Sequence, residues 1–436
     1  MRASSSQDSV RERTRHVLNE IFAGCSLDNV GVRLWDGTAW PDERSCAAVL
    51  ALKHSQSLAR MFLAGTEVGL AEAYLHKDFD IEGDMEAAFE IGDFLLAHLS
   101  NWKKKLKLAK LLVGLPESDG RSTIRRAARQ LLSRISGKRH SRERDRRAVT
   151  FHYDISNDFY RLWLDRRMVY SCAYFETPDD ALDAAQEHKL DYLCRKLRLR
   201  PGQRLLDIGC GWGALLIHAA KHFGVCAEGI TLSEPQVSWA RARIEEEGLT
   251  NAATIALRDY RQIGASGCEV YDAIVSVGMA EHVGREQLPD YFRVVHRALK
   301  PGGVFLNQAI GENIVPRADN RNGSFIEQYV FPDGDIPPLP IMLRAAESAG
   351  FEIRDVENVR EHYVLTLRQW LARLEAHHAE ALSFVDETTY RVWRLYLAGA
   401  GHGFRRGHIA VYQALLAKLS PAGQINLPLT RNDWYR

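Results

Sequence analysis

Absences bound this chain first. Its 436 residues hold seven cysteines, an odd number, with no CxxC and no spacing that suits zinc. That excludes a disulfide scaffold or a zinc module. It points to reduced thiols in a cytoplasm, with no metal expected. No apolar run is long enough to span a bilayer. The opening Met1-Arg2-Ala3-Ser4-Ser5-Ser6 has no apolar signal core. No internal repeat stands out, and neither sign of charge dominates, the formal net charge being +1. What remains is a globular, cytoplasmic chain, long enough for more than one domain and a sizeable core. Any meeting with a membrane is expected to be peripheral, on its inner face.

The balanced total hides an uneven distribution. Between Asn101 and Thr150 basic residues greatly outnumber acids, including Lys103-Lys104-Lys105 and Arg142-Glu143-Arg144-Asp145-Arg146-Arg147. Such a block binds nucleic acid, an anionic membrane, or only water. Residues His98 to Val113 read as a basic amphipathic helix, with Leu99, Trp102, Leu106, Leu108, Leu111 and Leu112 interleaved with lysines. Lysines over an apolar face suit an anionic membrane surface, and no nucleic-acid partner is expected. Three regions follow: a mixed, helical lipid-docking or accessory domain over 1–115, a basic linker over 116–148 holding a short helix Thr123 to Ile135, and a second domain over 149–436. From about His378 onward the pattern predicts further helices and a polar tail.

The strongest local signal lies in that second domain. Leu205-Leu206-Asp207-Ile208 runs into Gly209-Cys210-Gly211-Trp212-Gly213, and Ala214 to Ala220 opens a helix. This predicts a buried parallel strand, a tight glycine turn, and a helix whose first N–H groups are free. The spacing is GxGxG, not the GxGxxG of a dinucleotide fold, and it suits a compact adenosine ligand without pyrophosphate. S-adenosylmethionine is the first candidate. Further strands are predicted at Val225–Leu232, Tyr271–Val277 and Val304–Gln308, with a helix over Leu288–Leu299. Alternation of this kind gives a mostly parallel sheet covered by helices, with ligands at the carboxyl ends of its strands. Thr231 stands where many methyltransferases place a ribose-binding acid, so Gln236 is expected at the ribose and Asp259 or Tyr260 near the adenine.

Glu281-His282-Val283-Gly284 follows the third strand, on the face where a transferred methyl would lie. Glu281 is placed to orient a base or to stabilise positive charge; His282 reads first as a packed or capping residue. Two aromatic-rich segments, His152 to Tyr160 and Tyr170 to Phe175, precede the sheet. They read as core, or as a lid over the cofactor. Cys172 sits among rings with no histidine beside it in sequence, which argues against a nucleophilic role.

Taken together, HYDISNDFY, YSCAYF, LDIGCGWG, GITLSEPQ, VSVGMAEHVG, YVFPDG and EHYVLTL resemble the cyclopropane-fatty-acyl-phospholipid synthases and mycolic acid cyclopropane synthases, from about His152 to Gln413. The resemblance implies an α/β fold: a Rossmann-like class I methyltransferase with a mostly parallel sheet and a small N-terminal mixed, helical domain. It implies S-adenosylmethionine as methyl donor, contacted by Tyr170, Ser171, Asp207, Gly209, Gly211, Gly213, Thr231, Gln236, Asp259 and Tyr260. It implies a bicarbonate base held by Cys172, Glu281, Ile310, Tyr363 and a histidine. Two departures matter. Gln308 replaces the histidine, and an amide donates a hydrogen bond but carries neither charge nor proton. Ala280 replaces a phenylalanine, which widens the pocket or removes a ring facing the cation. The bicarbonate and the ring-closing step are what these changes touch.

The expected activity is methyl transfer to the cis double bond of an unsaturated phospholipid acyl chain, closing a cyclopropane ring, in an enzyme whose family implies a homodimer. Methylation without ring closure, N-methylation of a small molecule, and non-enzymatic lipid binding stand as alternatives.

Overall fold

The computed structural model describes residues 2–25, 29–41, 46–63, 66–100, 102–113, 155–264, 270–313, 325–331, 334–425 and 427–435. The basic linker, its predicted short helix, His152 to Asp154 and Cys268 lie outside them. The described residues form two compact units. The first takes the chain as far as helix Trp102–Val113, together with Phe325–Val330 and Asp386–His402; the second takes the rest.

The first unit is mixed, as the sequence suggests, and contains a four-stranded sheet whose individual strands the sequence did not single out. β1 (Val30–Arg33), β2 (Ala39–Trp40), β3 (Ala48–Leu52) and β4 (Phe79–Gly83) lie in the order β2-β1-β3-β4, with β1 and β3 parallel. The strands are too short to show a period of two across a whole window, which is why their apolar runs pass for helix. A late segment completes this unit. On helix Glu387–Arg405, Arg391 is 4 % exposed; it donates to the carbonyls of Tyr74 (3.0 Å) and Phe79 (3.0 Å) and pairs with Asp80. Its guanidinium also lies 3.9 Å from the centre of the Tyr74 ring. Helix Trp102–Val113 covers most of the predicted His98–Val113 segment, while His98 and Leu99 fall at the end of the preceding helix Met85–Ser100.

The second unit is built on a seven-stranded sheet in the order β10-β11-β9-β8-β5-β6-β7. β5 (Arg204–Ile208), β6 (Cys226–Thr231), β7 (Ala253–Leu257), β8 (Tyr271–Val277) and β9 (Leu299–Glu312) are parallel. β5 and β8 carry short leucine, isoleucine and valine runs buried on both faces, as a helix-covered sheet requires. β10 (Glu352–Asn358) and β11 (Ile409–Ala417) are antiparallel, with β11 inserted between β9 and β10. This corrects the helical reading of the C-terminal region: Ile409–Ala417 is an interior strand, its apolar run being ambiguous until β9 and β10 pair with both its edges. Helices Ala214–Phe223 and Leu288–Ala298 stand where the sequence predicts them. Among the described residues no helix is long and apolar enough to cross a membrane.

Candidate active site

The strand order reverses direction around β5 and its neighbours, and the crevice at their carboxyl ends is where an α/β sheet binds ligands. The glycine turn occupies it. Gly209 adopts φ +76°, and a Cβ there would meet the Met279 side chain at 2.8 Å. Gly213, at φ +86°, precedes helix Ala214–Phe223 and faces the Ala240 Cβ at 2.9 Å. Both positions exclude a side chain for conformational and steric reasons at once. Gly211 has open space where a Cβ would stand, so its backbone is free to meet a ligand.

Around the turn lies a cavity lined by Tyr170, Ser171, Asp207, Gly209, Gly211, Thr231, Gln236 and Tyr260, eight of the ten expected cofactor contacts. Thr231 Oγ1 donates to Gln236 Oε1 at 2.6 Å, so the two residues expected in place of a ribose acid act as one group. Gly213 and Asp259 do not line the cavity. Gly213 shapes the turn, and the Asp259 carboxylate is engaged by the Arg261 side chain at 2.7 Å. His282 does line it, with its ring 5.8 Å from that of Phe331. Ala280 is 2 % exposed and packs in the core cluster of Leu288 and Tyr291 rather than on the cavity wall.

Sequence reasoning missed Lys189. It projects from helix Leu182–Lys196, is 2 % exposed, and lines the same cavity. Its Nζ donates to Ser171 Oγ at 3.0 Å, and burial lowers its pKa to about 8. Asp207, on the same wall, is raised to about 7 by burial. The signal was present: Leu182, Gln186, Lys189, Leu193 and Lys196 recur at helical spacing and are all buried, so both lysines stand on the apolar face.

The five expected catalytic residues are gathered by backbone pairing. β9 and β11 set Ile310 opposite Val411 and Gln308 opposite Gln413. The Val411 carbonyl accepts from Val359 N at 2.9 Å. The Val359 carbonyl in turn accepts from Tyr363 N at 3.3 Å and from the Cys172 thiol at 3.6 Å. Cys172 is buried, which pushes its thiol well up and keeps it neutral. Glu281 completes the group: its Oε1 accepts from Ile310 N at 2.6 Å, while Oε2 is buried with no partner among the described residues. Burial raises this carboxyl to about 7. Gln308 is oriented by a directional relay. Lys196 Nζ donates to Gln413 Oε1 (2.9 Å), and Gln413 Nε2 donates to Gln308 Oε1 (3.0 Å). A lysine only donates, so the order is fixed and Gln308 is left with its NH₂ to offer.

Aromatic rings run from the turn to this group. Trp212 packs at a tilt against Tyr160 (5.1 Å), Tyr160 against Tyr170 (5.8 Å) and Tyr170 against Trp370 (5.2 Å), and Trp370 meets Tyr363 edge-on (5.9 Å). Trp212 Nε1 donates to Asn157 Oδ1 at 2.8 Å, docking the early aromatic segment onto the glycine turn.

The match to known proteins follows this geometry. The family model for mycolic acid cyclopropane synthetase matches residues 140–414. The chain belongs to the mycolic acid cyclopropane synthetase family. As a member of it, the protein is an S-adenosylmethionine-dependent methyltransferase of the class I fold. It is 38% identical over 407 residues to a "Probable fatty acid methyltransferase" of Pseudomonas putida, covering 93% of this chain and 96% of the relative. It is also 38% identical over 267 residues to the cyclopropane-fatty-acyl-phospholipid synthase of Escherichia coli, covering 61% of this chain and 66% of that one. Among solved structures, mycolic acid cyclopropane synthase CmaA1, complexed with SAH and CTAB, superposes with a TM-score of 0.59 at 35% identity, covering 63% of this chain and 98% of that one. The glycine cradle and the buried, opposite charges of Lys189 and Asp207 fit the cofactor of such an enzyme.

Proposed function

We propose that this synthetase-family enzyme methylates the cis double bond of an unsaturated acyl chain in a membrane phospholipid and closes a cyclopropane ring. The observation that carries the reading is Glu281: a buried carboxyl with one oxygen committed to Ile310 N and the other unpartnered among the described residues. S-adenosylmethionine supplies an electrophilic methyl group to the cavity around the glycine turn. Attack by the alkene leaves a carbocation on the lipid, which a fixed anion and aromatic faces stabilise without being able to quench it by hydration. A carboxyl raised to about 7 is poised near neutral pH to take the proton whose loss closes the ring.

Bicarbonate fits these residues incompletely. Ile310 N is already engaged by Glu281, and the Cys172 thiol by backbone carbonyls, so of these groups Gln308 NH₂ is the donor the relay leaves over. No step is therefore routed through it. Gln308 favours a second reading, in which the cation loses a different proton and yields a methyl-branched or methylene product. The basic helix Trp102–Val113 supports peripheral docking on an anionic, cytoplasmic membrane face, and the family resemblance supports a homodimer.

The test incubates the enzyme with methyl-labelled S-adenosylmethionine and vesicles of oleoyl phospholipids. High-field cyclopropane proton signals in the labelled acyl chains are expected. Product mass alone does not decide, because a ring and a methylated alkene are isomers. Label in a soluble amine with untouched lipids would overturn the reading.

A further inference from the structure

Lys189 is an ammonium in the wrong place for a structural residue. It is 2 % exposed and lines the cofactor cavity, yet its one hydrogen bond among the described residues goes to the neutral Ser171 hydroxyl, 3.0 Å away. No carboxylate of the described residues comes within ion-pair distance of its Nζ. The Asp165 carboxylate, its strongest electrostatic neighbour, is taken by two backbone N–H groups, of Val169 (2.7 Å) and Arg167 (3.1 Å). Asp165 and Asp207 act on it only through space, and a buried charge without a direct ion pair is costly unless a ligand completes it.

The surroundings say what completes it. Ser171 Oγ accepts from Nζ, so its own hydroxyl proton points onward as a second donor. Gln186, one turn earlier on the same helix, holds the segment by donating to the Ser171 carbonyl at 2.9 Å. Two donors, one of them cationic, thus converge beside the glycine turn and match the two oxygens of a carboxylate. Asp207 stands on the same wall with the opposite charge, so the wall as a whole suits an amino acid zwitterion.

We propose that Lys189, acting with Ser171, recognises the α-carboxylate of the methionyl end of S-adenosylmethionine and so sets the reach of the methyl group into the lipid site. Lys189 is a cofactor-binding residue in this assignment, and Gln186 a positioning residue behind it.

Isothermal titration of the full chain, without lipid, tests it against S-adenosylmethionine and its decarboxylated analogue, which keeps the adenosine, sulfonium and amine. Wild type should bind the decarboxylated compound roughly 30-fold more weakly, as expected for loss of a charge-assisted contact. Lys189→Met should weaken S-adenosylmethionine by about the same factor while leaving the analogue within roughly threefold. Ser171→Ala should show a smaller selective loss. Equal binding of the two ligands by wild type overturns the proposal whether or not the variants fold. Equal weakening of both ligands by Lys189→Met overturns it too, since a merely structural lysine would not distinguish them. If neither ligand bound wild type, the cofactor assignment itself would fail.

Discussion

At the scale of single residues, the chemistry rests on Glu281 and on what replaces histidine near it. Glu281→Gln keeps the acceptor for Ile310 N and removes the charge. Turnover should fall by at least about a thousandfold while S-adenosylmethionine binding survives. Comparable loss of binding in calorimetry would make the residue structural. The same variant has a stability signature. Burial raises the carboxyl from 4.5 to about 7, so the folded state holds a proton that the unfolded state has lost between those values. Stability from this group is present below pH 4.5 and is lost as pH rises through 7. Glu281→Gln should therefore be more stable than wild type at pH 8, by at most about 3 kcal/mol, and not at pH 4. Calorimetric melting at the two pH values checks the sign. For Gln308→His, an imidazole restores a group able to carry charge beside Glu281. The ring-closed share of product and the response to added bicarbonate should both rise, as read by proton NMR of the lipids; no change in either would show that Gln308 is compensated elsewhere.

At the scale of elements, what could be seen in the chain was whatever pairs with a near neighbour. Strand β5, its glycine turn and the following helix are consecutive, and they, like β6, β8 and β9, are specified by local pattern, whereas β7 was not read from the sequence. β11 was not legible. Its nine-residue apolar run becomes a strand because β9 and β10, themselves far away in sequence, offer it edges. Its position matters to the site, since β11 sets Gln413 beside Gln308 and Val411 beside Ile310. Lys189 was hidden for a related reason: a lysine in a helix reads as solvent-facing until packing buries its face. Arg391 is the counterpart in the first unit, a late cation that satisfies the ends of Tyr74 and Phe79. Arg391→Met should destabilise that unit by about 3 kcal/mol, because the Tyr74 and Phe79 carbonyls each lose a charged donor and Asp80 loses one of its two arginines. A denaturation curve shifted by less than about 1 kcal/mol would contradict this.

At the scale of the whole molecule, two units carry different problems. The second carries the glycine-lined crevice that fits the cofactor. The first contributes the lysine-rich helix Trp102–Val113, whose sequence suits an anionic interface. Neutralising Lys103, Lys104 and Lys105 together should weaken sedimentation with anionic vesicles severalfold and leave activity on detergent-dispersed lipid intact. Unchanged sedimentation would exclude that patch.

The sequence by itself determined the class I sheet, the glycine turn, the cofactor and the family, because each is written in contiguous residues whose backbone needs are local. Only tertiary structure decided which charges are buried and what they face. Lys189, the unpartnered oxygen of Glu281 and the Lys196–Gln413–Gln308 relay all depend on groups far apart in the chain. Burial and hydrogen-bond direction are properties of the packed neighbourhood, and no spacing along the chain encodes them.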